Sequence, residues 1–168
     1  MQKAHHIGLT VKDLERTIDF YHDTLGLEFA LAPTDWMEDE HMAEALGVDP
    51  PAKIRLVAFW VSDQTIVECL EYASPPSERE RALTQNHVGA SHLGIQIDDI
   101  DTKVAELRAK GVPFNSVVHD IEEGPFGGWR WVYFRDPDGH TLEYVEIRWQ
   151  NDDLRARDIE AYLAARSD

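Results

Sequence analysis

The sequence predicts an α+β fold built from two tandem βαβββ modules and a C-terminal helix. Three observations lead to this prediction: the chain contains an internal repeat, each copy ends in two apolar runs joined by a turn, and the tail has helical periodicity. The modules cover residues 4–73 and 90–148, with a polar, proline-containing linker at 74–89 and the helix at 153–166. We therefore expect the 168 residues to form one domain.

The two copies of the repeat begin alike. Residues 6–29 read HIGLTVKDLERTIDFYHDTLGLEF, and residues 92–114 read HLGIQIDDIDTKVAELRAKGVPF. Both start with His-apolar-Gly in a strand-like run, followed by an acidic turn and then by apolar residues at helical spacing. Gly26 and Gly111 stand where each helix would end in a left-handed cap. Each copy is therefore expected to open as strand, helix, strand.

Each copy is expected to close with a hairpin. The connecting residues are Ser-Asp-Gln at 62–64 in the first copy and Asp-Pro-Asp-Gly at 136–139 in the second. Both second strands carry the pattern Glu-x-x-Glu, at 68–71 and 143–146. The predicted strands are Ile54–Val61, Thr65–Tyr72, Trp129–Arg135 and His140–Arg148.

Composition and charge argue against several classes of function. The chain has 43% hydrophobic residues, and 32 Asp and Glu against 16 Lys and Arg give a net charge of −16. Such a surface repels phosphate backbones and anionic lipids, so we expect neither nucleic acid nor membrane as a partner. No apolar run is long enough to span a bilayer, the first residues lack the apolar core of a signal peptide, and Cys69 is the single cysteine. We expect a cytoplasmic protein.

The repeat also points to a metal. Each opening strand begins with a histidine, and each closing strand carries glutamates; if a pseudo-twofold axis relates the modules, these side chains converge. Two imidazoles and two carboxylates suit a divalent ion such as Zn, Ni, Co, Mn or Fe. Alternation along a strand turns the two glutamates of each pair to opposite faces, so the repeat alone leaves either one possible. The candidates are His6 and His92 with Glu68 or Glu71 and Glu143 or Glu146.

The segments HHIGLTVKDLERTIDFYHDTLGLEF and VYFRDPDGHTLEYVE resemble the vicinal oxygen chelate superfamily, and the resemblance covers residues 4–148. This group includes glyoxalases, methylmalonyl-CoA epimerases, extradiol dioxygenases and bleomycin resistance proteins. The resemblance implies an open, cup-shaped mixed sheet around one divalent metal, and a homodimer. The ligands that it implies are His6, Glu68, His92 and Glu143.

For the reaction, the resemblance implies an isomerase, an epimerase or a glyoxalase-type lyase. Such an enzyme acts through a metal-chelated enolate on a small oxygen-rich substrate, with Glu143 and Glu68 as catalytic residues. A second base for epimerisation would have to come from residues 35–47, where Glu44 is a weak candidate. A solvated acidic segment is the preferred interpretation of that loop.

Two other functions remain open. The first is an extradiol-type ring-cleaving dioxygenase with Fe(II) or Mn(II) on His6, His92 and Glu143. That signature also needs a histidine where this chain has Gly-Pro-Phe at 124–126, and it leaves Glu68 unused. The second is a resistance-type protein that sequesters a ligand without turning it over.

The candidate substrate pocket is largely aromatic. Aromatic walls suit an apolar or planar substrate, although aromatic stripes more often belong to a core. A cation in the same segment is a candidate for holding a carboxylate or phosphate, and equally an ion-pair partner in so acidic a chain. The candidates are Trp36, Phe126, Trp129, Trp131, Tyr133 and Arg130.

Overall fold

The computed structural model describes residues 2–166 and confirms the α+β fold class, with two sheets and four helices among these residues. The first sheet and its helices contain β1 His6–Val11, α1 Leu14–Ile18, β2 Phe29–Leu31, β3 Met37–Asp39, α2 Glu40–Leu46, β4 Ala52–Trp60 and β5 Ile66–Ser74. The remainder contains β6 His92–Gln96, α3 Ile100–Ala109, β7 His119–Asp120, β8 Trp129–Arg135, β9 Thr141–Ile147 and α4 Asp152–Ala165.

The first sheet has the strand order β1-β5-β4-β2, and β3 also pairs with β4. Strand β1 runs parallel to β5, whereas β4 and β5 form the predicted antiparallel hairpin. One face of this sheet is covered by α1 and by the π-helical segment Asp19–Thr24 that continues it. Tyr21 of that segment is fully buried and stacks on Phe59 of β4, with ring centroids 5.6 Å apart.

The second sheet has the order β6-β9-β8-β7. Its core consists of apolar side chains of α3, β8 and β9, including Ile100 and Leu107, which are fully buried. The rings of Phe134 and Tyr144 pack within it at 4.7 Å between centroids. The predicted hairpin of β8 and β9 is present, and each strand end lies within one residue of its predicted position.

Both repeated helices begin and end as their sequences predict. Asp13 accepts a hydrogen bond from the Arg16 N–H, and Asp99 accepts one from the Thr102 N–H, so a carboxylate caps each first turn. Gly26 and Gly111 have φ of 83° and 85°, the left-handed conformation that ends a helix. The opening strand and helix of each repeat therefore follow from local sequence. In the first repeat β2 follows as predicted, whereas in the second the chain after Gly111 makes an isolated bridge between Phe114 and Phe134 before β7.

The contacts divide the chain into two compact units. The first contains the residues through Leu93 together with Arg135–Thr141, and the second contains Gly94–Phe134 and the residues from Leu142 onward. The units follow the two repeats, except that residues 90–93, at the start of the second repeat, and the turn between β8 and β9 belong to the first unit. Across residues 2–166, no helix has the length and apolar character needed to cross a membrane.

Candidate active site

In the first unit, the predicted histidine and glutamate lie on the same face of the sheet. Along β1, His6, Gly8 and Thr10 are exposed, whereas Leu9 and Val11 are buried. Gly8 is paired with Glu68 of β5, so Glu68 lies on the face that carries His6. This face is opposite the one that α1 covers.

The second unit repeats the relation between glycine and glutamate. His92 begins β6, two residues before Gly94, and both are exposed. A Cβ atom on Gly94 would lie 3.6 Å from Oε2 of Glu143, so the Glu143 carboxylate passes directly over this glycine. In both repeats, the glycine of the His-x-Gly strand therefore lies on the same face as the glutamate of the closing strand.

Each of these glutamates also has a tyrosine nearby. Burial, followed by the charge of Glu143 and a hydrogen bond to it, raises the pKa of the Tyr133 phenol. Burial, followed by the charge of Glu68, raises the pKa of the Tyr72 phenol. Both phenols therefore stay protonated near neutral pH, and Tyr133 donates a hydrogen bond to Glu143.

The second glutamate of each Glu-x-x-Glu pair has a different environment. Glu71 accepts a hydrogen bond from the backbone N–H of Leu14, at 2.8 Å, and its Oε2 lies 2.7 Å from Nη2 of Arg55. Glu146 accepts one from the N–H of Ile100, at 3.1 Å, and lies 3.3 Å from Nη1 of Arg130. Leu14 and Ile100 are the first residues of α1 and α3, where free N–H groups and the helix dipole favour a carboxylate.

These contacts favour Glu68 and Glu143 as the ligand candidates, because Glu71 and Glu146 already serve the starts of two helices. The sequence contains a signal for this division that the sequence analysis missed. Arg55 precedes Glu71 by 16 residues, and Arg130 precedes Glu146 by the same 16 residues. The repeated arginine therefore marks which glutamate of each pair is structural.

Arg130 lies on the helix-covered face of β8, away from the predicted substrate-binding aromatic residues. Its side chain is 11% exposed, and its guanidinium contacts the carboxylates of Asp101, Asp120 and Glu146. The hydrogen bond that Arg130 donates to Asp101 is the main cause that raises the pKa of Arg130. This environment favours the ion-pair interpretation of Arg130 over substrate binding.

The aromatic candidates fall into two places. Trp129, Trp131 and Tyr133 alternate with the buried Arg130 and Val132 along β8, so they share the face on which Tyr133 meets Glu143. Trp131 is enclosed between neighbouring rings, stacked on His119 at 4.8 Å and tilted against Tyr133 at 5.1 Å. Phe126, in the loop before β8, is 53% exposed and packs edge-on against Trp129.

Trp36 lies apart from the glutamate-bearing face. Its ring is covered by the Arg55 guanidinium, 5.0 Å from the centroid, and Arg55 in turn binds Glu71. Trp36 therefore belongs with the cluster of side chains at the start of α1. Glu44 is an exposed residue of α2.

Within the described part of the chain, no three His, Cys, Asp or Glu side chains lie close enough together to hold a metal ion. His6 contacts His5 through their Nδ1 atoms at 2.9 Å, and Nδ1 of His92 lies 3.2 Å from Oε1 of Gln85. The four-ligand site therefore stays a prediction.

The chain is similar to a known protein family and to individual enzymes. The family model of the Glyoxalase/Bleomycin resistance protein/Dioxygenase superfamily matches residues 3–144. A 2-epi-5-epi-valiolone epimerase from an Actinomyces species is 33% identical over 145 residues, which cover 86% of this chain and 79% of that protein. A lactoylglutathione lyase from Haemophilus influenzae is 28% identical over 146 residues, covering 84% of this chain and 90% of that protein.

Solved structures with the same fold include two members of this group. A glyoxalase family protein from Bacillus cereus superposes with a TM-score of 0.71 at 18% identity, covering 87% of this chain and 94% of that one. A glyoxalase/dioxygenase from Nostoc punctiforme superposes with a TM-score of 0.60 at 24% identity, covering 87% and 91%. At these identities the likeness is one of fold.

Proposed function

Because this chain belongs to the Glyoxalase/Bleomycin resistance protein/Dioxygenase superfamily, we propose that it is a metal-dependent isomerase or lyase that moves a proton at a carbon next to a carbonyl. The substrate class is a small oxygen-rich carbonyl compound. The observation that carries the proposal is the division of each Glu-x-x-Glu pair. One glutamate of each repeat serves a helix start, and the other lies on the same face as the glycine of the His-x-Gly strand. The epimerase and lyase relatives support isomerase or lyase activity.

The donors fit a divalent ion in their chemistry. His6, Glu68, His92 and Glu143 would supply two imidazole nitrogens and two carboxylates, a set suited to Zn, Ni, Co, Mn or Fe. When bound, such an ion supplies Lewis-acid chemistry that polarises a substrate carbonyl.

The side chains of this protein would move the proton. The Glu143 and Glu68 carboxylates would take a proton from the carbon next to the carbonyl and return one to the substrate. Return to the opposite face of the same carbon inverts the centre in an epimerase, and return to the neighbouring carbon relocates the hydrogen in an isomerase. The hydroxyl of Tyr133 donates a hydrogen bond to Glu143 and so fixes the direction of that carboxylate. Trp129 and Trp131, on the same face, offer apolar surface for the rest of the substrate.

The test measures bound metal in matched variants. After chelation and reloading with Co²⁺ or Zn²⁺, we expect the wild-type chain to retain a single ion, measured by mass spectrometry of the native protein. His92→Ala, Glu68→Gln and Glu143→Gln should retain much less. The same change at Glu71 or Glu146 should leave the metal content of the folded protein unchanged, because those carboxylates serve the helix starts. Equal metal in all four glutamine variants would mean that these glutamates are not ligands.

Turnover separates this proposal from its two alternatives. The loaded protein is incubated in D₂O with 2-epi-5-epi-valiolone, the compound that the epimerase relative is named for. Deuterium entering at the carbon next to the carbonyl supports proton transfer. Oxygen uptake with cleavage of a catechol ring would instead indicate a dioxygenase, and tight binding with no exchange would indicate sequestration.

We also propose that the protein is a homodimer with a small-molecule substrate. Light scattering on the purified chain tests the first part, since a dimer and a monomer of 19.2 kDa differ twofold in mass. A monomeric mass at micromolar concentration would remove the dimer from the proposal.

A further inference from the structure

A second pocket lies entirely within the second unit, between α4 and the loop before β8. Its volume is about 390 Å³, within the range of roughly 300–1,000 Å³ that small-molecule pockets occupy. Most of its wall is apolar, and it holds one cation and one carboxylate. The lining residues are Pro125, Phe126, Trp129, Arg155, Asp158 and Ile159.

The cation of this pocket, Arg155, is held in place by the loop. Its Nε donates to the carbonyl oxygen of Pro125 at 2.5 Å, and its Nη1 donates to Oε1 of Gln150 at 2.7 Å. Its guanidinium carbon lies 5.0 Å from the ring centroid of Trp129 and 5.7 Å from that of Phe126. The side chain is 25% exposed, so two aromatic rings and two hydrogen bonds fix a mostly buried charge.

Two hydrogen-bond donors in this pocket have no acceptor. Nη2 of Arg155 and Nε1 of Trp129 are both buried, and neither finds a hydrogen-bond partner among residues 2–166. A buried donor without a partner is destabilising, and more so when it is charged. The guanidinium carbon of Arg155 lies 5.0 Å from the Trp129 ring centroid, so the two donors belong to neighbouring side chains. A carboxylate, with its two oxygens, is suited to accept from such a pair of N–H groups.

We propose that this pocket binds a small monocarboxylate with an apolar body. The carboxylate accepts from Arg155 Nη2 and Trp129 Nε1, while the apolar body lies against Phe126, Trp129 and Ile159. Asp158 at the rim, in a chain of net charge −16, disfavours a ligand with a second negative charge. None of the proposed metal ligands lines this pocket, and Trp129 is the residue that it shares with the proposed substrate-binding face. A titration without metal therefore tests the pocket separately from the proposed reaction.

Ligand entry requires a side-chain movement. Both orphan donors are sealed from solvent, and Phe126, at 53% exposure, packs edge-on over the Trp129 ring. Because Phe126 lies in the loop before β8, we expect its ring to turn aside when a ligand enters. Binding should therefore change the environment of the Trp129 indole N–H.

The experiment is a titration of the full chain, free of added metal, with phenylacetate and with its neutral counterpart phenylacetamide. Calorimetry gives the affinity, and the indole N–H signals in a ¹H–¹⁵N spectrum report the site, with the Trp129 signal assigned from Trp129→Phe. Phenylacetate should bind and shift that signal, and phenylacetamide should bind about tenfold more weakly or worse, because it loses the charge-assisted bonds.

Three variants separate the proposal from a general effect on folding. Trp129→Phe keeps an aromatic ring but removes the indole N–H donor, and Arg155→Gln removes the positive charge. Each variant should lower the affinity for phenylacetate about tenfold or more. Arg157→Gln, at an exposed position on the same helix, should change it little. Equal binding of acid and amide, full affinity in Trp129→Phe, or no binding of phenylacetate would each overturn the proposal. An Arg155→Gln chain that fails to fold leaves the Trp129→Phe comparison to decide.

Discussion

The two Glu-x-x-Glu pairs show how identical residues three positions apart take different functions. Glu71 has a side chain 15% exposed and binds Arg55, whose side chain is 23% exposed, while it also accepts from the first N–H of α1. Removing one partner of such a buried, charge-assisted contact leaves the other without compensation. Among residues 2–166, Glu68 makes no comparable contact with an arginine or a helix start, which leaves it available for chemistry.

Glu71→Gln should therefore lower the free energy of unfolding by about 1–3 kcal/mol, because it removes the charge that Arg55 and the helix start both need. Urea unfolding followed by circular dichroism measures the change. Glu15→Gln is the matched control: Glu15 also faces Arg55, at 3.5 Å, but is 73% exposed, so its loss should cost less than about 0.5 kcal/mol. A larger effect at Glu15 than at Glu71 would contradict this account.

The contact between Asp101 and Arg130 predicts a loss of stability in acid. A hydrogen bond from Arg130 lowers the pKa of Asp101 below its ordinary value of 3.8. The unfolded chain therefore binds the proton more readily than the folded chain, so the stabilisation is fully present above pH 3.8 and disappears as pH falls through the folded pKa.

Asp101→Asn removes the charge that accepts the hydrogen bond from Arg130, and with it this pH-dependent stabilisation. The stability difference between wild type and Asp101→Asn should be greatest near neutral pH and should shrink as pH falls below about 4. Urea unfolding at a series of pH values measures it, with Asp98→Asn, at an exposed position nearby, as the control. A difference that stays constant down to pH 2 would show that the charge of Asp101 is not what Arg130 recognises.

Among the elements, the loop that leads into β8 is fixed by packing. Gly128 has φ of 85°, and a Cβ atom there would lie 2.3 Å from the carbonyl oxygen of Trp149 and 2.6 Å from its indole ring. The glycine pair at 127–128 therefore forms a tight turn pressed against Trp149, and this turn sets where Trp129 enters the sheet.

Gly128→Ala should accordingly destabilise the protein by more than about 2 kcal/mol, since a left-handed backbone costs a non-glycine residue roughly 1–2 kcal/mol and the contact with Trp149 adds to it. Gly124→Ala is the control, because Gly124 has nearly the same φ, 83°, with nothing within 4 Å of the added methyl group. The difference between the two midpoints in urea isolates the packing. Equal midpoints would mean that Trp149 moves aside freely.

Structure that depends on residues close together in the chain could be predicted from the sequence, whereas structure that depends on distant contacts could not. The caps at Asp13 and Asp99 and the helix ends at Gly26 and Gly111 depend on neighbouring residues, and they appear as expected. Strand β3 and helix α2 were not predicted, because β3 has three residues and exists only by pairing with β4. The repeat predicts His6 as a candidate ligand but leaves Glu68 and Glu71 both possible, and the role of Arg130 depends on carboxylates from three other elements.

At the scale of the whole molecule, the division of the folded chain into two units departs from the sequence repeat most clearly at one turn. Arg135–Thr141 belongs to the first unit, although the strands on either side of it belong to the second. Asp136 accepts a hydrogen bond from the buried Tyr21 hydroxyl at 3.1 Å, and Asp138 accepts from the Lys12 N–H at 3.0 Å and binds Arg16 at 2.5 Å. Both aspartates are 6% exposed, so the first unit depends on residues more than forty positions beyond its own repeat.

A fragment ending at Leu93 should therefore not reproduce the stability of the first unit in the full chain. It leaves the Tyr21 hydroxyl buried without its acceptor and removes the carboxylate that Lys12 and Arg16 share, each a loss of roughly 1–3 kcal/mol. In urea, followed by circular dichroism, the fragment should unfold at a lower midpoint or without a cooperative transition. Asp138→Asn in the full chain is the control, and it should lower the midpoint by a smaller amount because the turn stays attached. If the fragment unfolded at the midpoint of the full chain, the repeat alone would be the stable unit, and the aspartates of the turn would be incidental to it.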